Sequence, residues 1–217
     1  MTTNQGTRVK VSPTTLNLLR DCPRCFWFRM NGDLKRPTGP PPVIGQVLDR
    51  IIQAYWNSYR EQGSFPPLIP SVEGRPVPPG VREWSDPTTG LVLAGRLDAC
   101  IEVDGPLYVP VDHKTRGSPP NGTHPAYQLQ LDGYALLLEV NGRPSAGYGL
   151  LIYYMPRPGQ LHEGLPIAVQ IDTVQTDPER AQRWMRDARE VLDLPEPPPS
   201  SPACEYCAWV EAVSPYR

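Results

Sequence analysis

The chain has 217 residues, 39% hydrophobic residues and a formal net charge of −2. This size and composition suit one globular domain with a sizeable core. No apolar run approaches the roughly 20 residues that a membrane-spanning helix needs, and the N-terminus does not have the pattern of a secretory signal peptide. We therefore expect a cytoplasmic protein with no membrane association.

Charge is distributed unevenly along the sequence. Residues 1–36 contain seven Lys/Arg and two Asp/Glu, so this segment is basic and the remainder is acidic. A basic lobe next to an acidic one is compatible with phosphate binding beside a carboxylate metal site. An ordinary solvated surface explains the same distribution equally well.

The first part of the chain predicts two helices. Ser12 and Pro13 are a hydroxyl N-cap followed by proline at the first helical position. The helix that they open is predicted to extend to about residue 29, unless Pro23 kinks or ends it. Residues 43–59 carry apolar side chains at the spacing of a helix with one buried face.

Strands dominate the middle of the chain after a Pro/Gly-rich segment, 63–90, that is predicted to be irregular. Two β-rich runs, 91–103 and 107–115, are separated by Asp104-Gly105-Pro106, a hairpin signal. Four more elements follow in chain order: a helix at 124–141, strands at 147–154 and 167–174, and a helix from Pro178, capped by Asp177, to about 192. This order predicts a mixed sheet with flanking helices, an α/β (α+β) fold.

The turn between the two β-rich runs decides which side chains share a face. A two-residue loop places Asp98 opposite Val111, whereas a three-residue loop that includes Pro106 places it opposite Asp112. Pro106 has no N–H for a ladder hydrogen bond, so the longer loop is favoured. Because side chains two apart in a strand share a face, this register puts Asp98, Asp112 and Lys114 together.

Asp98 and Asp112 would repel each other in this arrangement unless a cation lay between them. Carboxylate oxygens suit Mg²⁺ or Mn²⁺, which can polarise a phosphoryl oxygen and lower the pKa of bound water. A lysine beside the ion can orient that water or neutralise developing charge. The Asp-x-Lys pattern is short, however, and a surface hairpin with a salt bridge to Lys114 also explains it.

Three motifs follow one another along the chain: Gly-x-Leu-Asp ending at Asp98, Asp-x-Lys-Thr beginning at Asp112, and Gln-x-x-x-Tyr from Gln130 to Tyr134. In this order they resemble the RecB-like branch of the PD-(D/E)xK nucleases. The likeness is greatest to the CRISPR-associated RecB-like exonucleases and to the nuclease domain of AddB. The serine-led helix at 12–28, with its Cys-Pro and aromatic residues, strengthens a resemblance that covers residues 10–210.

The resemblance implies a restriction-endonuclease-like core with an N-terminal helical segment and a C-terminal cysteine tail. It also implies roles for six residues: metal ligands Asp98, Asp112 and the backbone carbonyl of His113, the catalytic lysine Lys114, and Gln130 and Tyr134, which would support the site or contact the DNA backbone. The side chain of His113 alternates away from Asp112 in a strand, so it is not expected to be the catalytic base.

One position departs from the family pattern. The family usually carries a histidine on its second helix, in the pattern Gly-x-x-x-His, whereas the pattern that starts at Gly45 ends here in Asp49. A carboxylate is also a competent ligand for Mg²⁺ or Mn²⁺. Asp49 is therefore a further predicted metal ligand; the alternative is an exposed helix residue near Arg50.

Four of the five cysteines form two C-x-x-C pairs, Cys22 with Cys25 and Cys204 with Cys207. Two such pairs make a four-thiolate metal site that would bring the ends of the chain together. The resembling families hold a 4Fe–4S cluster with one N-terminal and three C-terminal cysteines, so the resemblance favours that cluster. The two-and-two division suits structural Zn²⁺ equally well, and four incidental thiols are a third alternative. Cys100 is predicted to be a core residue.

We expect a single domain over 1–217, divided into a helical lobe with the first cysteine pair (10–62), a nuclease core (91–193) and a Pro-rich linker with the cysteine tail (195–217). The resemblance implies an exonuclease that hydrolyses single-stranded DNA or DNA ends in CRISPR adaptation or in recombination and repair. A CRISPR integrase or a helicase would be its protein partner. The alternatives are a catalytically degenerate nuclease fold that binds nucleic acid or a partner protein, and a redox or iron–sulfur sensor.

Overall fold

The computed structural model describes residues 9–39, 43–69 and 72–216; the ends of the predicted domain, 1–8 and 217, lie outside this part of the chain. Six α-helices lie within these ranges: α1 Pro13–Asp21, α2 Pro23–Asn31, α3 Val43–Arg60, α4 Pro125–Val140, α5 Pro178–Leu192 and α6 Glu205–Val213. The strands are β1 Lys10–Val11, β2 Arg75–Val77, β3 Val81–Ser85, β4 Val92–Arg96, β5 Ala99–Val103, β6 Leu107–Thr115, β7 Tyr148–Pro156 and β8 Ile167–Gln175. None of these helices is long and apolar enough to cross a membrane.

The main sheet has five strands in the order β2-β5-β6-β7-β8. β6 and β7 are parallel and are connected through α4, whereas the other neighbouring pairs are antiparallel. A smaller sheet contains β1, β4 and β3. This mixed sheet with helices against it confirms the predicted α/β (α+β) class.

The β5–β6 hairpin has the register that the longer loop predicted. Ala99 lies opposite Val111 and Val103 opposite Leu107, so the turn contains the three residues 104–106. Gly105 has a φ of 84°, in the left-handed region that favours glycine. Continuing the register by one position places Asp98 opposite Asp112.

The predicted strand at 91–103 is wrong in one respect, because the run is divided into β4 and β5, which belong to different sheets. The division falls at Leu97 and Asp98. Leu97 is buried in the core, and the side chain of Asp98, rather than its backbone, accepts a hydrogen bond of 3.0 Å from the backbone N–H of His113. Asp98 therefore leaves the strand ladder and points its carboxylate at β6.

The prediction that 63–90 is irregular was also wrong, because β2 and β3 lie in this segment. β2 contains Pro76 and pairs as an edge strand with β5, which is a position where proline is tolerated. Both strands, and the two-residue β1, pair with segments that follow them in the sequence. Composition alone does not report such long-range pairing.

The helix starts follow the predicted capping residues, whereas one helix end differs. The Ser12 hydroxyl accepts from the backbone N–H of Thr15 at 3.3 Å, and Asp177 accepts from that of Arg180 at 3.1 Å. Pro23 ends the first helix instead of only kinking it, and Cys22 is both the C-cap of α1 and the N-cap of α2. In the tail, α6 is a helix that the sequence patterns did not predict.

The main sheet separates two hydrophobic clusters. On one face, Ile52 and Trp56 of α3 pack over residues that include Val111 and Ile152. On the other face, helices α1, α2, α4 and α5 pack over a cluster that contains Cys100, as predicted for that residue. Because side chains alternate along a strand, the even-numbered residues of β6 face α4 and the odd-numbered residues face α3.

A buried carboxylate fixes α4 against α5. Asp132 is fully buried, and its oxygens accept hydrogen bonds from Arg180 Nε at 2.5 Å, Arg180 Nη2 at 2.9 Å and the backbone N–H of Asp177 at 2.8 Å. Gln128 Nε2 adds a fourth donor at 3.0 Å. These hydrogen bonds and the ion pair with Arg180 offset the free-energy cost of burying the carboxylate. It also sets the position of α4, which carries Gln130.

Candidate active site

A polar cleft lies at the C-terminal end of β6, between α3 and α4. It has a volume of about 230 Å³ and is lined by Asp49, Gln53, Asp98, Asp112, His113, Lys114 and Gln130. Six of the seven predicted active-site residues therefore meet in one cleft. The seventh, Tyr134, lies one helical turn beyond Gln130 and contacts it.

Asp112 is the most deeply buried carboxylate of the cleft, with 1% of its surface exposed. Its Oδ1 accepts a hydrogen bond of 2.7 Å from Gln130 Nε2. Its Oδ2 forms a close ion pair with Lys114 Nζ. Burial raises the pKa of Asp112 to about 7, with the Lys114 charge opposing and the nearby Asp98 adding to the rise.

Asp98 is half-buried and lies close enough to Asp112 to affect its pKa. The hydrogen bond from the His113 backbone N–H fixes one oxygen of Asp98. Two carboxylates thus face the same point, as the predicted hairpin register required. This is an arrangement that a cation stabilises.

Lys114 is held by three neighbours. Besides its ion pair with Asp112, its Nζ donates to Gln130 Oε1 at 3.0 Å and lies 4.6 Å from the centre of the Tyr127 ring. A cation over an aromatic face is attracted by the ring quadrupole. Tyr127 was not predicted as a site residue, although it precedes Gln130 by three positions and Tyr134 by seven, which is the spacing of a shared helix face.

Gln130 and Tyr134 form a hydrogen-bonded chain behind the carboxylates. Gln130 Nε2 donates to Tyr134 Oη at 2.7 Å, and that hydroxyl donates to the backbone carbonyl of Arg96 at 3.0 Å. Burial, with the charge of Asp112, raises the pKa of Tyr134 well above its usual range, so the hydroxyl stays protonated. Of the two predicted roles, support of the site is the one that this buried position favours over DNA contact.

The His113 side chain lies on the opposite face of the sheet, as the strand alternation predicted. Its ring centre is 5.0 Å from that of Trp56, and its Nδ1 is 3.2 Å from Tyr154 Oη. Burial, with the charge of Lys114, lowers the pKa of His113 to about 4. His113 is therefore a neutral core residue whose backbone alone belongs to the cleft, and ligation by its carbonyl stays a prediction.

Asp49 lies at the rim of the cleft, on α3. It is exposed, and its Oδ1 is 3.5 Å from Thr115 Oγ1. Among the described residues, only the cysteine group brings three or more His, Cys, Asp or Glu ligand atoms within 4.8 Å of one another. Asp49 is thus a less closely placed ligand candidate than Asp98 and Asp112. Gln53, which sequence reasoning missed, lines the cleft four residues further along α3.

The donor set of the cleft fits a divalent cation. Asp98 and Asp112 supply oxygen ligands of the type that Mg²⁺ and Mn²⁺ prefer. The strongest sign is that Asp98 adds to the rise in the pKa of Asp112 although Lys114 is already paired with Asp112. Two carboxylates this close repel each other, and a cation between them would relieve the repulsion.

A second candidate metal centre joins the two ends of the chain. Cys22 and Cys204 are the N-caps of α2 and α6, and Cys25 and Cys207 lie in the first turns of those helices. All four are free, and their sulfur atoms lie within 4.8 Å of one another. The cysteine spacing therefore predicted this convergence correctly, and the four thiols form a group that could hold a metal ion.

The surroundings of the four cysteines act on their pKa values in opposite directions: burial raises the pKa of Cys25 and of Cys207, whereas the pKa of Cys22 is lowered. Burial raises the pKa of Cys22, but hydrogen bonds from the backbone N–H groups of Cys25 and Ser201 outweigh it and lower the pKa to about 7. Arg36 places its Nη2 3.5 Å from Cys204 Sγ. A thiolate is the form of cysteine that binds metals.

The sequence model of the PD-(D/E)XK nuclease superfamily matches residues 71–212. This range is well over half of the chain and includes β5, β6 and α4. The chain belongs to the PD-(D/E)XK nuclease superfamily. Asp112-His113-Lys114 lies within the matched range and has the (D/E)-x-K spacing of the superfamily's name. Membership indicates a metal-dependent nuclease.

A known structure has a similar fold over nearly the whole chain. The crystal structure of SSO0001 is similar with a TM-score of 0.55 and 17% sequence identity, and the match covers 98% of this chain and 87% of SSO0001. At this identity the likeness concerns the fold alone. No curated protein matches the chain significantly.

Proposed function

We propose that this chain is a metal-dependent deoxyribonuclease of the RecB-like branch that degrades DNA from its ends. The observation that carries the proposal is the meeting of Asp98, Asp112 and Lys114 in one cleft, where the buried Asp112 carboxylate lies beside both the Asp98 carboxylate and the Lys114 ammonium. This is the chemistry of a divalent-cation site next to a fixed positive charge. Membership of the superfamily supports the same activity.

Asp98, Asp112 and the His113 carbonyl would hold Mg²⁺ or Mn²⁺, with Asp49 approaching from the rim. When bound there, the cation supplies charge that polarises a phosphoryl oxygen and acidifies water. The chain's own contribution is to hold its carboxylates in place. The His113 N–H fixes Asp98, and the Gln130 amide fixes Asp112.

Lys114 would donate a hydrogen bond to the attacking water or to a non-bridging oxygen of the scissile phosphate. Its ammonium is already oriented by Gln130 Oε1 and the Tyr127 ring. A donor that needs no reorientation stabilises the charge that develops in the transition state. Tyr134 would act through Gln130, because its hydroxyl contacts that amide and not the cleft itself.

Single-stranded DNA is the preferred substrate in this proposal. An apolar groove of about 470 Å³ adjoins the cleft through Thr115 and is lined by residues that include Ile44, Leu48 and Ile51 of α3. The bases of an unpaired strand can pack on such a surface, whereas a duplex hides them. The RecB-like motifs support three further parts of the proposal. The enzyme is an exonuclease, it acts in the cytoplasm in CRISPR adaptation or in recombination and repair, and its partner is an integrase or a helicase.

The test is digestion of end-labelled DNA with Mg²⁺ or Mn²⁺, using linear single strands, circular single strands and duplexes. We expect nucleotides to be released from linear single strands and circles to survive. Lys114→Ala should lower the rate by 10²-fold or more, on the order of the loss of one oxyanion donor. Lys10→Ala is the matched control, because Lys10 is an exposed lysine that pairs with Glu83 outside the cleft.

A catalytically degenerate, DNA-binding fold member is the second candidate. The exposed rim position of Asp49, where the family usually has histidine, favours it. In that case wild-type protein would bind single strands but leave every substrate intact with both metals. Cleavage that disappears in Asp98→Ala would exclude this candidate.

A further inference from the structure

The spacing of the four cysteine sulfurs indicates what they enclose. Cys22 Sγ is 3.8 Å from Cys207 Sγ, and Cys25 Sγ is 3.7 Å from both Cys204 Sγ and Cys207 Sγ. Four thiolates around one tetrahedral ion with bonds of about 2.3 Å lie about 3.8 Å apart, since a tetrahedron's edge is about 1.6 times its centre-to-corner distance. These three separations have this value, and the other three are at most 4.8 Å.

A 4Fe–4S cluster does not fit the same positions. In such a cluster each cysteine binds a different iron, so the four irons and four inorganic sulfides lie between the thiolates. Sulfur atoms that are all within 4.8 Å of one another leave room for one ion and not for eight atoms. The cluster that the family resemblance implies and the geometry of this chain therefore disagree.

We infer that Cys22, Cys25, Cys204 and Cys207 bind a single zinc ion, and that this ion holds α6 and the preceding linker on the N-terminal lobe. A closed set of four cysteines is typical of structural zinc sites. Each pair begins a helix, so the partial positive charge of two helix N-termini faces the thiolates. Four thiolates around Zn²⁺ carry a net negative charge, which Arg36 offsets from 3.5 Å.

α6 depends on such an ion because it has little else to hold it. None of its nine residues is buried, and Trp209 is 62% exposed. A helix this short is marginal in isolation. Its polar ties to the lobe include an exposed ion pair of 3.0 Å from Arg24 to Glu211 and the Arg36 guanidinium 4.8 Å from the Tyr206 ring centre. Contacts of this exposed kind contribute little stability.

The first experiment measures zinc, iron and acid-labile sulfide in protein purified without oxygen. We expect one zinc per chain and neither iron nor sulfide. Incubation with iron and sulfide should not produce the visible absorption of a cluster, whereas Co²⁺ exchanged for zinc should give the spectrum of a tetrahedral tetrathiolate site. About four irons and four sulfides per chain, the content of one 4Fe–4S cluster, would overturn the inference.

The second experiment tests the role of the ion in holding the tail. Cys25→Ser should lose zinc, and a protease should then cut within residues 194–216 while the core stays resistant. Cys100→Ala is the matched control, because Cys100 is buried on β5 away from this group, and it should keep both zinc and the protected tail. Should Cys25→Ser fail to fold, hydrogen exchange on chelator-treated wild-type protein gives the same comparison. A tail equally protected with and without zinc would overturn the proposed role.

Neither readout depends on nuclease activity. Metal content and tail protection can be as expected in a protein that cleaves nothing, and DNA cleavage can occur in a protein that contains a cluster. Failure of this inference is thus distinguishable from failure of the proposed function.

Discussion

The two candidate metal centres are built in opposite ways. The carboxylate cleft is assembled from β6, the residue that precedes β5, and the helices α3 and α4, so strand register and a buried helix place Asp98 and Asp112 before any ion binds. The cysteine group is assembled from two helices that no strand ladder connects, and one of them, α6, buries none of its residues. The fold therefore forms the carboxylate cleft without an ion, whereas an ion at the cysteine group would hold α6 in place.

The two centres should therefore affect different properties: the cleft should control catalytic activity, and the cysteine group should control the stability of the tail. Removal of the ion from the cleft should stop catalysis and leave the fold intact, whereas removal of the ion from the cysteines should release a segment and leave the cleft assembled. The cysteine variants described above test the second half of this contrast, and four substitutions in the cleft and the core around it test the first half, starting from the one with the largest expected effect.

Asp112→Asn should abolish most of the nuclease activity without unfolding the protein. The asparagine side chain has the shape of the aspartate, and its carbonyl oxygen can still accept the hydrogen bond from Gln130. It lacks the negative charge that would bind the cation. We expect a loss of about 10³-fold or more, equivalent to about 4 kcal/mol of transition-state stabilisation. Initial rates with Mn²⁺ and a thermal melt of each protein measure the two effects. Asp104→Asn, in the exposed β5–β6 turn, is the control, and equal activity of both variants would remove Asp112 from the mechanism.

Asp132→Ala should be the most destabilising change in the scaffold of the cleft. It leaves Arg180 and the N–H of Asp177 without the carboxylate that they contact. Breaking a fully buried ion pair costs roughly 3–5 kcal/mol. Because Arg180 is 37% exposed and water can solvate it, chemical denaturation should show a loss at the low end of that range, about 3 kcal/mol. Asp193→Ala, which removes an exposed ion pair with Arg189, should change stability by less than about 1 kcal/mol. A loss for Asp132→Ala no larger than this control would mean that α4 is held by apolar packing alone.

His113 should make the fold sensitive to acid. Its pKa is lowered to about 4 in the folded chain, so only the unfolded chain takes up the proton as the pH falls below the ordinary histidine value. Stability is therefore lost between about pH 6.5 and pH 4, by an amount on the order of 3 kcal/mol. Denaturation of wild type and His113→Gln at several pH values isolates this residue, since both chains share every other titrating group. Identical pH dependence in the two chains would contradict the assignment.

Tyr134→Phe should have the smallest effect of the four. It removes one hydroxyl that positions Gln130, at a cost of about 1 kcal/mol of stability and about a tenfold fall in kcat. KM should stay unchanged, because the buried ring does not reach the cleft surface. Steady-state kinetics distinguish this from a substrate-binding role, in which KM would rise and kcat would stay constant. Tyr148→Phe, on β7, is a control outside the cleft.

The parts of the fold that short-range rules govern were predictable. Ser12 and Asp177 predicted the starts of their helices, because both are capping residues. Pro106 predicted the hairpin register, because it has no N–H to donate to a strand-pairing hydrogen bond. The pairing of β2 and the break before Asp98 were not predictable, since both depend on contacts with distant strands. The same limit hid Tyr127, whose position over Lys114 depends on how α4 crosses β6.

The sequence also predicted that the four cysteines would meet, but not what they hold. Ligand spacing of the C-x-x-C type serves zinc and iron–sulfur sites alike. The choice between them depends on sulfur–sulfur distances, and these are set by how the start of α6 meets the start of α2. Only the folded arrangement contains that information.

Cys22 and Cys207 are 185 positions apart along the chain. An ion that binds both makes almost the whole polypeptide a closed ring, even when its core has melted. By the chain-entropy model of a cross-link, a ring of this size lowers the entropy of the unfolded chain enough to stabilise folding by about 5 kcal/mol. Losing the second cysteine pair would open the ring, and a change at one edge of the molecule would then lower the free energy of unfolding of the whole domain while the folded cleft stays assembled.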